Sequence, residues 1–246
     1  MAPPRSSQPA AAVSRALGAV LFDMGGTLDG DGLHWLDRFA GAYRTAGAAL
    51  PFERLRAAFD EAERRAAADE EIATADLRAM LQRHVAWQFA HLEWTDQPLA
   101  NRIVDRFEQP IRDLAVRNAA LLSGLTRRGL RVGVVSNGCG NVEVLCQDLG
   151  YAPALSIVID SRRAGVAKPD PRIYALAAEA LALPPEAIMM VGDSFDRDIV
   201  PAKAIAMQTA WLRRGRRCPD ESRVDVMLDS IADLPAALDR RQRSGP

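Results

Sequence analysis

Lysine is almost absent from this chain: among its 31 basic residues, only Lys168 and Lys203 are lysines. A lysine that falls close to other polar residues is therefore a candidate site residue. No apolar run approaches the length of a transmembrane helix, so no membrane-spanning segment is predicted. The net charge is −1, which excludes a basic field that would favour nucleic acid or an anionic membrane surface.

Cysteine is scarce as well. The chain has three cysteines, Cys139, Cys146 and Cys218, and their separations do not match those of metal ligands. Their odd number leaves one cysteine outside any disulfide scheme. These observations predict a protein with reduced thiols and a cytoplasmic location.

With 246 residues, the chain is long enough for one large core that carries an insertion. Residues 1–15 are rich in proline, serine, alanine and glutamine, and we predict that they form a disordered tail. The whole sequence has the apolar and charged fractions of a globular protein, 48% and 26%.

Short apolar runs bounded by turn residues predict a set of buried strands. Helical patterns separate the later strands, and several of these helices end at glycine, for example at Gly129 and Gly150. Alternating strands and helices predict an α/β fold with a doubly wound, parallel, Rossmann-like sheet. The predicted strands are residues 19–22, 132–135, 155–159, 188–191, 209–212 and 224–228.

Residues 30–111, called the helical insertion below, interrupt this alternation. They contain no strand-like run, and apolar residues recur at helical spacing, as in Leu77, Met80, Leu81 and Val85. Pro110 marks the predicted return to the core. We therefore predict a discontinuous core, residues 16–29 and 112–243, with a small domain of about four helices inserted after the first strand.

Polar residues follow the ends of the predicted strands. The carboxyl ends of parallel strands share one edge of a sheet, where ligand crevices form. Each of these residues also has a structural explanation, as a helix cap, a turn residue or a surface charge. Their occurrence in four separate places nevertheless predicts one shared site. The residues are Asp23 with the turn Gly25–Thr27, Ser136 with Asn137, Lys168, and Asp193 with Asp198.

In these residues the chain resembles the haloacid dehalogenase-like hydrolase superfamily, in the subfamily with a helical cap inserted after the first motif. The resemblance extends from about Ala19 to Leu238. Asp23-x-Gly25-x-Thr27 is similar to the first motif, Ser136 to the second, Lys168 to the third, and Gly192-Asp193-Ser194 with Asp198 to the fourth.

The resemblance implies a Mg²⁺-dependent phosphatase that acts on a small phosphorylated metabolite. Asp23 is then the nucleophile that forms an aspartyl-phosphate, and oxygen ligands suit the metal. The implied catalytic residues are Asp23, Ser136 and Lys168; the implied substrate-binding residues are Thr27, Ser136, Asn137 and Lys168; and the implied metal ligands are Asp23, the Gly25 carbonyl, Asp193 and Asp198.

One position departs from the pattern of the family. Its phosphatases usually carry a second aspartate two places after the nucleophile, as general acid and base, and this chain has Gly25 there. General acid catalysis contributes about 10²–10⁴-fold. The acidic segment around Asp29 and Asp31 is predicted to be a flexible flap, so these residues or His34 are either replacements for the acid or solvated flap residues.

Single residues distinguish the alternative activities within the superfamily. Phosphonate-cleaving relatives need a lysine in the cap, and the helical insertion has none. Haloacid dehalogenases typically lack the metal-binding acid of the fourth motif, which is present as Asp193. The alternatives are therefore a low-turnover phosphate- or metal-binding protein, favoured by Gly25, and then a 2-haloacid dehalogenase. Trp35, Arg38 and Tyr43 are expected to contact substrate or to pack between the domains.

Overall fold

The computed structural model describes residues 16–244, so the predicted disordered tail, residues 1–15, lies outside the described residues. All strands of the sheet pair in parallel. The predicted parallel α/β sheet is therefore confirmed, and the predicted strands agree with the observed ones to within two residues at each end. The strands are β1 (Ala19–Phe22), β2 (Arg131–Ser136), β3 (Ile157–Asp160), β4 (Ile188–Gly192), β5 (Gln208–Leu212) and β6 (Val226–Leu228), in the spatial order β3-β2-β1-β4-β5-β6.

The central strand β1 is covered on both faces, which explains its continuous apolar sequence. Val20 and Phe22 pack into one hydrophobic cluster, and Ala19 and Leu21 pack into a second cluster. Successive residues of a strand point to opposite faces, so the two clusters lie on the two sides of the sheet. Burial on both sides leaves the strand ends as the place where polar groups can gather.

Helices form both covering layers, and four of them connect β1 to β2. None of the helices within residues 16–244 is both long enough and apolar enough to cross a bilayer. The helices are α1 (Trp35–Thr45), α2 (Phe52–Ala68), α3 (Leu77–Leu92), α4 (Gln97–Arg127), α5 (Val142–Asp148), α6 (Ser161–Ala164), α7 (Arg172–Ala180), α8 (Val200–Ala204) and α9 (Leu234–Ser244).

Helix α4 corrects one expectation, because the chain does not change direction at Pro110. The proline lies inside a single helix of 31 residues. Ile103, Phe107 and Ile111 are buried at helical spacing on either side of it, so continuous packing maintains the helix. Pro110 and Arg106 are exposed, so water can reach the Arg106 carbonyl group, which lacks its usual N–H donor.

The segment after the first motif is also anchored, where the sequence predicts a flexible flap. The Asp29 carboxylate is 3% exposed and accepts hydrogen bonds from Gly26 N at 2.6 Å and Trp35 Nε1 at 2.7 Å. Asp31 accepts hydrogen bonds from Ser230 Oγ at 2.9 Å and Ile231 N at 2.7 Å. Both carboxylates are therefore fixed by partners within the protein.

Candidate functional site

Lys168 lies between two buried carboxylates at the carboxyl edge of the sheet. Its Nζ donates to Asp23 Oδ1 at 2.5 Å and to Asp198 Oδ1 at 2.7 Å. Asp23 directly follows β1, and its backbone N–H donates to Val191 O of β4 at 2.9 Å, which fixes its position. Each of the three side chains is nine-tenths buried or more. The lysine identified by its rarity thus contacts both acids.

Thr27 joins a third carboxylate to this group. Its hydroxyl lies 3.3 Å from Asp23 Oδ2 and 3.2 Å from Asp193 Oδ1, and it accepts from Asp193 N at 3.1 Å. Thr27 has no exposed surface, and its hydroxyl contacts the two acids from within the protein. Its contact with a substrate stays a prediction. Gly26 lies alongside with φ +86°, and a Cβ there would come within 2.8 Å of Asp193 Oδ1, which excludes other residues.

Carboxylate oxygens of Asp23, Asp193 and Asp198 lie within 4.8 Å of one another. The pKa of Asp193 is raised to about 7, first by burial and then by the charges of Asp23 and Asp198. Burial also raises the pKa of Asp198 to about 6, against the opposing charge of Lys168. Burial lowers the pKa of Lys168, but the charges of Asp198 and Asp23 outweigh it, so the pKa is raised. The cluster therefore carries more negative charge than one ammonium group neutralises.

The loop after β2 is tied to the loop that carries Lys168. Asn137 Nδ2 donates to the Lys168 carbonyl oxygen at 2.9 Å, and Asn137 Oδ1 accepts from Lys168 N at 2.8 Å. Asp160, at the end of β3, accepts from Gly140 N at 2.9 Å and Val142 N at 3.2 Å. Sequence reasoning missed this residue, although it too is an acid at the end of a predicted strand.

An open cavity of about 320 Å³, called the sheet-edge cavity below, lies beside this cluster. One wall comes from the core and contains most of the residues that the sequence singled out. The other wall comes from the start of α1 and from α2. The core wall consists of Asp23, Gly25, Ser136, Asn137, Lys168, Ser194, Arg197 and Asp198, and the insertion wall consists of His34, Trp35, Phe59, Asp60 and Glu63.

Of the three residues considered as replacements for the missing acid, only His34 lines the sheet-edge cavity. Its Nδ1 accepts the backbone N–H of Leu36 at 3.2 Å, so the neutral ring carries its proton on Nε2. Burial lowers the pKa of His34, and the positive charge of Arg197 lowers it further. His34 is therefore mainly neutral at neutral pH and offers an N–H to a ligand.

Four lining residues were missed by sequence reasoning. Arg197 lies three residues after Ser194, and its Nε donates to Ser194 Oγ at 3.3 Å. Phe59, Asp60 and Glu63 belong to α2, where their spacing is that of any amphipathic helix. No local signal distinguishes such a face from an ordinary solvated one, so only the tertiary structure identifies this wall.

A doubly wound α/β protein with a buried lysine–carboxylate cluster at its sheet edge has the architecture of a hydrolase with an acidic active site. A family model described as haloacid dehalogenase-like hydrolase matches residues 17–205. The chain belongs to this family.

Two relatives and one solved structure illustrate the similarity. The chain is 29% identical over 154 residues to mouse haloacid dehalogenase-like hydrolase domain-containing protein 3, covering 61% of each chain. It is 31% identical over 117 residues to a phosphoserine phosphatase from Thermus thermophilus, covering 47% of each chain. The chain thus matches these relatives over about half to three-fifths of their length. A crystal structure of a dehalogenase in an intermediate complex shares the fold, with a TM-score of 0.63 and 20% identity over 91% of this chain and 98% of that one.

Proposed function

We propose that this protein is a Mg²⁺-dependent phosphatase that hydrolyses a small phosphorylated metabolite through an aspartyl-phosphate at Asp23. The observation that carries the proposal is the contact of Lys168 Nζ with both Asp23 and Asp198, next to Asp193, in a buried cluster open to a cavity. The similarity to a phosphoserine phosphatase supports phosphoryl transfer as the chemistry.

The acidic cluster fits a divalent cation. Three buried carboxylates lie within 4.8 Å of one another, and within residues 16–244 Lys168 is the one ammonium group that contacts them, through Asp23 and Asp198. Asp23, Asp193 and the Gly25 carbonyl would hold Mg²⁺, with Asp198 completing or orienting its ligands. A bound Mg²⁺ supplies positive charge that keeps the carboxylates ionised and offsets charge on the phosphoryl group.

In the first chemical step, a lone pair of an Asp23 carboxylate oxygen forms a bond to phosphorus. The bond between phosphorus and the leaving-group oxygen breaks, and that oxygen leaves as an anion or takes a proton from protonated His34 or from solvent water. Lys168, Ser136 and Asn137 bind the phosphoryl oxygens and stabilise the charge that develops there. Water then attacks the phosphorus of the aspartyl-phosphate, releasing inorganic phosphate and restoring the Asp23 carboxylate.

Gly25 limits proton transfer to the leaving group. His34 is the replacement that the cavity offers, but its lowered pKa leaves little of the ring protonated, and so able to donate a proton, at neutral pH. Substrates whose leaving groups need no proton, such as acyl phosphates, should therefore react fastest.

The helical insertion would act as a cap that admits the substrate, because His34 and α2 form the wall opposite the nucleophile. All three cysteines are free thiols, which supports the cytoplasm as the compartment.

The test measures phosphate release from acetyl phosphate and p-nitrophenyl phosphate, with Mg²⁺ and after EDTA treatment, for the wild type and Asp23→Asn. We expect activity that requires Mg²⁺ and falls by about 10³-fold or more in the variant. Binding of Mg²⁺ and phosphate without turnover would support the low-turnover alternative. Chloride release from 2-chloropropionate without phosphatase activity would support dehalogenation.

A further inference from the structure

A buried positive charge without an ionic partner lies outside the sheet-edge cavity. Arg38 of α1 is 7% exposed, and its Nη2 donates to the carbonyl oxygen of Asp29 at 2.9 Å. Its guanidinium carbon lies 5.6 Å from the ring centroid of Phe107. Within residues 16–244, Arg38 Nε is the one buried side-chain nitrogen or oxygen that has no hydrogen-bond partner.

This arrangement is costly, because an arginine remains protonated in proteins and a buried charge is stable only when it is paired. The carboxylate oxygens of Asp29 accept hydrogen bonds from Gly26 N and Trp35 Nε1, and Arg38 contacts the main-chain carbonyl oxygen of Asp29 instead. Burial lowers the pKa of Arg38; the charge of Asp29 opposes this effect, and the charge of Arg214 adds to it. Asp29 therefore offsets the charge of Arg38 in part, but no carboxylate within residues 16–244 forms a salt bridge with its guanidinium group.

Arg38 also lines a second open cavity, of about 380 Å³, which we call the arginine cavity. Arg117 of α4 and Arg214, in the loop after β5, contribute to its walls. Arg214 Nη1 donates to the backbone carbonyl oxygen of Asp31 at 3.0 Å. Arg38 and Arg214 thus bind main-chain carbonyl groups in place of carboxylates.

Two acids line the arginine cavity, and both are already engaged. Asp31 is 3.1 Å from Arg117 Nη2 and also accepts from Ser230 and Ile231. Asp113 is exposed and accepts from Gln109 Nε2 at 2.9 Å. The lining thus contains three arginines and two acids, and one of these arginines, Arg117, already pairs with Asp31.

We propose that the arginine cavity is a second anion site, separate from the phosphoryl site, and that it binds a small tetrahedral oxyanion such as inorganic phosphate or sulfate. Guanidinium groups present paired N–H donors that match the oxygens of such an anion. The anion would supply the negatively charged partner that the Arg38 guanidinium group lacks. It would also reduce the repulsion between Arg38 and Arg214.

The position of this site connects it to the catalytic region. Arg38 belongs to the helical insertion and Arg214 to the core, so one anion would join the two. The carbonyl groups that they hold belong to Asp29 and Asp31, and the Asp29 carboxylate in turn holds Trp35 on the wall of the sheet-edge cavity. Binding would therefore stabilise the folded chain in this arrangement.

Calorimetric titration with sodium sulfate, against sodium chloride at equal ionic strength, tests the proposal. We compare the wild type with Arg214→Gln, which alters an exposed residue, and with Arg54→Gln, which removes the same charge from an exposed position on α2. Sulfate affinity should fall at least about tenfold in Arg214→Gln and stay unchanged in Arg54→Gln. Any sulfate that binds in the sheet-edge cavity should persist in both variants.

A second measurement uses Arg38→Met. Sulfate stabilises proteins generally by exclusion from their surface, so the informative quantity is the additional shift in melting temperature relative to a variant. The wild type and Arg54→Gln should share a shift that Arg38→Met and Arg214→Gln lack. Equal shifts in all four proteins, or identical isotherms for wild type and Arg214→Gln, would overturn the proposal.

Discussion

The two walls of the sheet-edge cavity differ in how firmly their polar groups are held. On the core wall, Asp23, Lys168 and Asp198 are nine-tenths buried or more and bind one another. On the insertion wall, Asp60 and Glu63 are exposed. Glu63 Oε1 contacts His84 Nε2 at 2.9 Å, whereas no residue within 16–244 forms a hydrogen bond or ion pair with Asp60.

This difference separates two tasks. Groups that act on a transferring phosphoryl group must be fixed before the substrate arrives, and burial with mutual hydrogen bonds achieves this. Groups that contact the variable part of a substrate gain from remaining solvated and adjustable. The core wall therefore suits the chemistry, and the insertion wall suits the choice of substrate.

The largest effect should come from the lysine of the core wall. Lys168→Met leaves Asp23 and Asp198 buried without their cation, and we expect a loss of about 3–5 kcal/mol in the free energy of unfolding. Phosphatase activity should fall by about 10²–10³-fold. Urea unfolding and p-nitrophenyl phosphate hydrolysis measure the two effects.

The only other lysine in the chain is a matched control for this experiment. Lys203 pairs with Asp225 at 2.7 Å, and its side chain is 30% exposed. Lys203→Met should therefore cost at most about 1 kcal/mol and should leave activity unchanged. If the two variants lost similar amounts of stability and activity, the buried ion pairs of the core wall would be no more important than an exposed ion pair.

Asp29 connects Gly26, next to Gly25 of the core wall, with Trp35 of the insertion wall. The pH dependence of stability that Asp29 causes gives a second test. Burial raises its pKa to about 6 from 3.8, against the charge of Arg38 and the hydrogen bonds from Trp35 and Gly26. Between about pH 4 and about pH 6 the folded chain keeps a proton that the unfolded chain loses, so the free energy of unfolding falls by about 3 kcal/mol as pH rises.

Asp29→Asn cannot titrate, so the wild type should lose this stability relative to the variant across the same pH window. Urea unfolding of both proteins at a series of pH values measures the difference. Parallel stability curves would show that Asp29 is ionised throughout the window and that burial does not control it.

A substitution at Gly25 tests whether a proton donor is the only group that the core wall lacks. Its φ is −72°, and the nearest atom to an added Cβ is Trp35 Nε1 at 4.0 Å, so the backbone accepts a side chain and the Cβ meets no clash. Gly25→Asp should speed the hydrolysis of an alkyl phosphate such as glycerol 2-phosphate by about tenfold or more, and that of acetyl phosphate much less.

The neighbouring glycine is the control for backbone geometry. Gly26→Asp should abolish activity, because its Cβ would collide with Asp193. An unchanged rate in a folded Gly25→Asp protein that binds Mg²⁺ would mean that another residue already supplies the proton.

The smallest effect should come from the insertion wall. Asp60→Asn and Glu63→Gln remove exposed charges, so KM for phosphoethanolamine, whose leaving group carries an ammonium, should rise by about two- to fivefold. The kcat for acetyl phosphate should not change. Glu61→Gln is the control on the same helix, because Glu61 pairs with Arg65 at 2.7 Å. A fall in kcat for acetyl phosphate would place these acids in the chemical step.

Sequence reasoning predicted the core wall because apolar runs and the polar residues that end them are local signals. Asp23 and Asp193 each follow a strand and Ser136 is the last residue of one, and parallel pairing brings strand ends together. Lys168 was predicted from the rarity of lysine and from the resemblance to the family. Its contact with both acids depends on the tertiary structure and could not be predicted locally.

The remaining features depend on contacts between distant parts of the chain. Asp31 resembles a flap residue until Ser230 and Ile231, about two hundred positions away, are seen to bind it. Pro110 resembles a helix end until the buried residues on both sides of it are known. The insertion wall on α2 gives no local signal, because solvated and ligand-facing carboxylates have the same helical spacing.

The path of α4 restricts how the sheet-edge cavity can change its width. The chain enters the helical insertion through a hydrogen-bonded loop and leaves it within one unbroken helix, Gln97–Arg127. Any rotation of the insertion against the sheet must therefore bend that helix. Bending requires least energy at Pro110, where one backbone hydrogen bond is already missing. Under the proposed function, Pro110, an exposed residue remote from the reacting atoms, is the place where α4 would bend as the cap opened to exchange product for substrate.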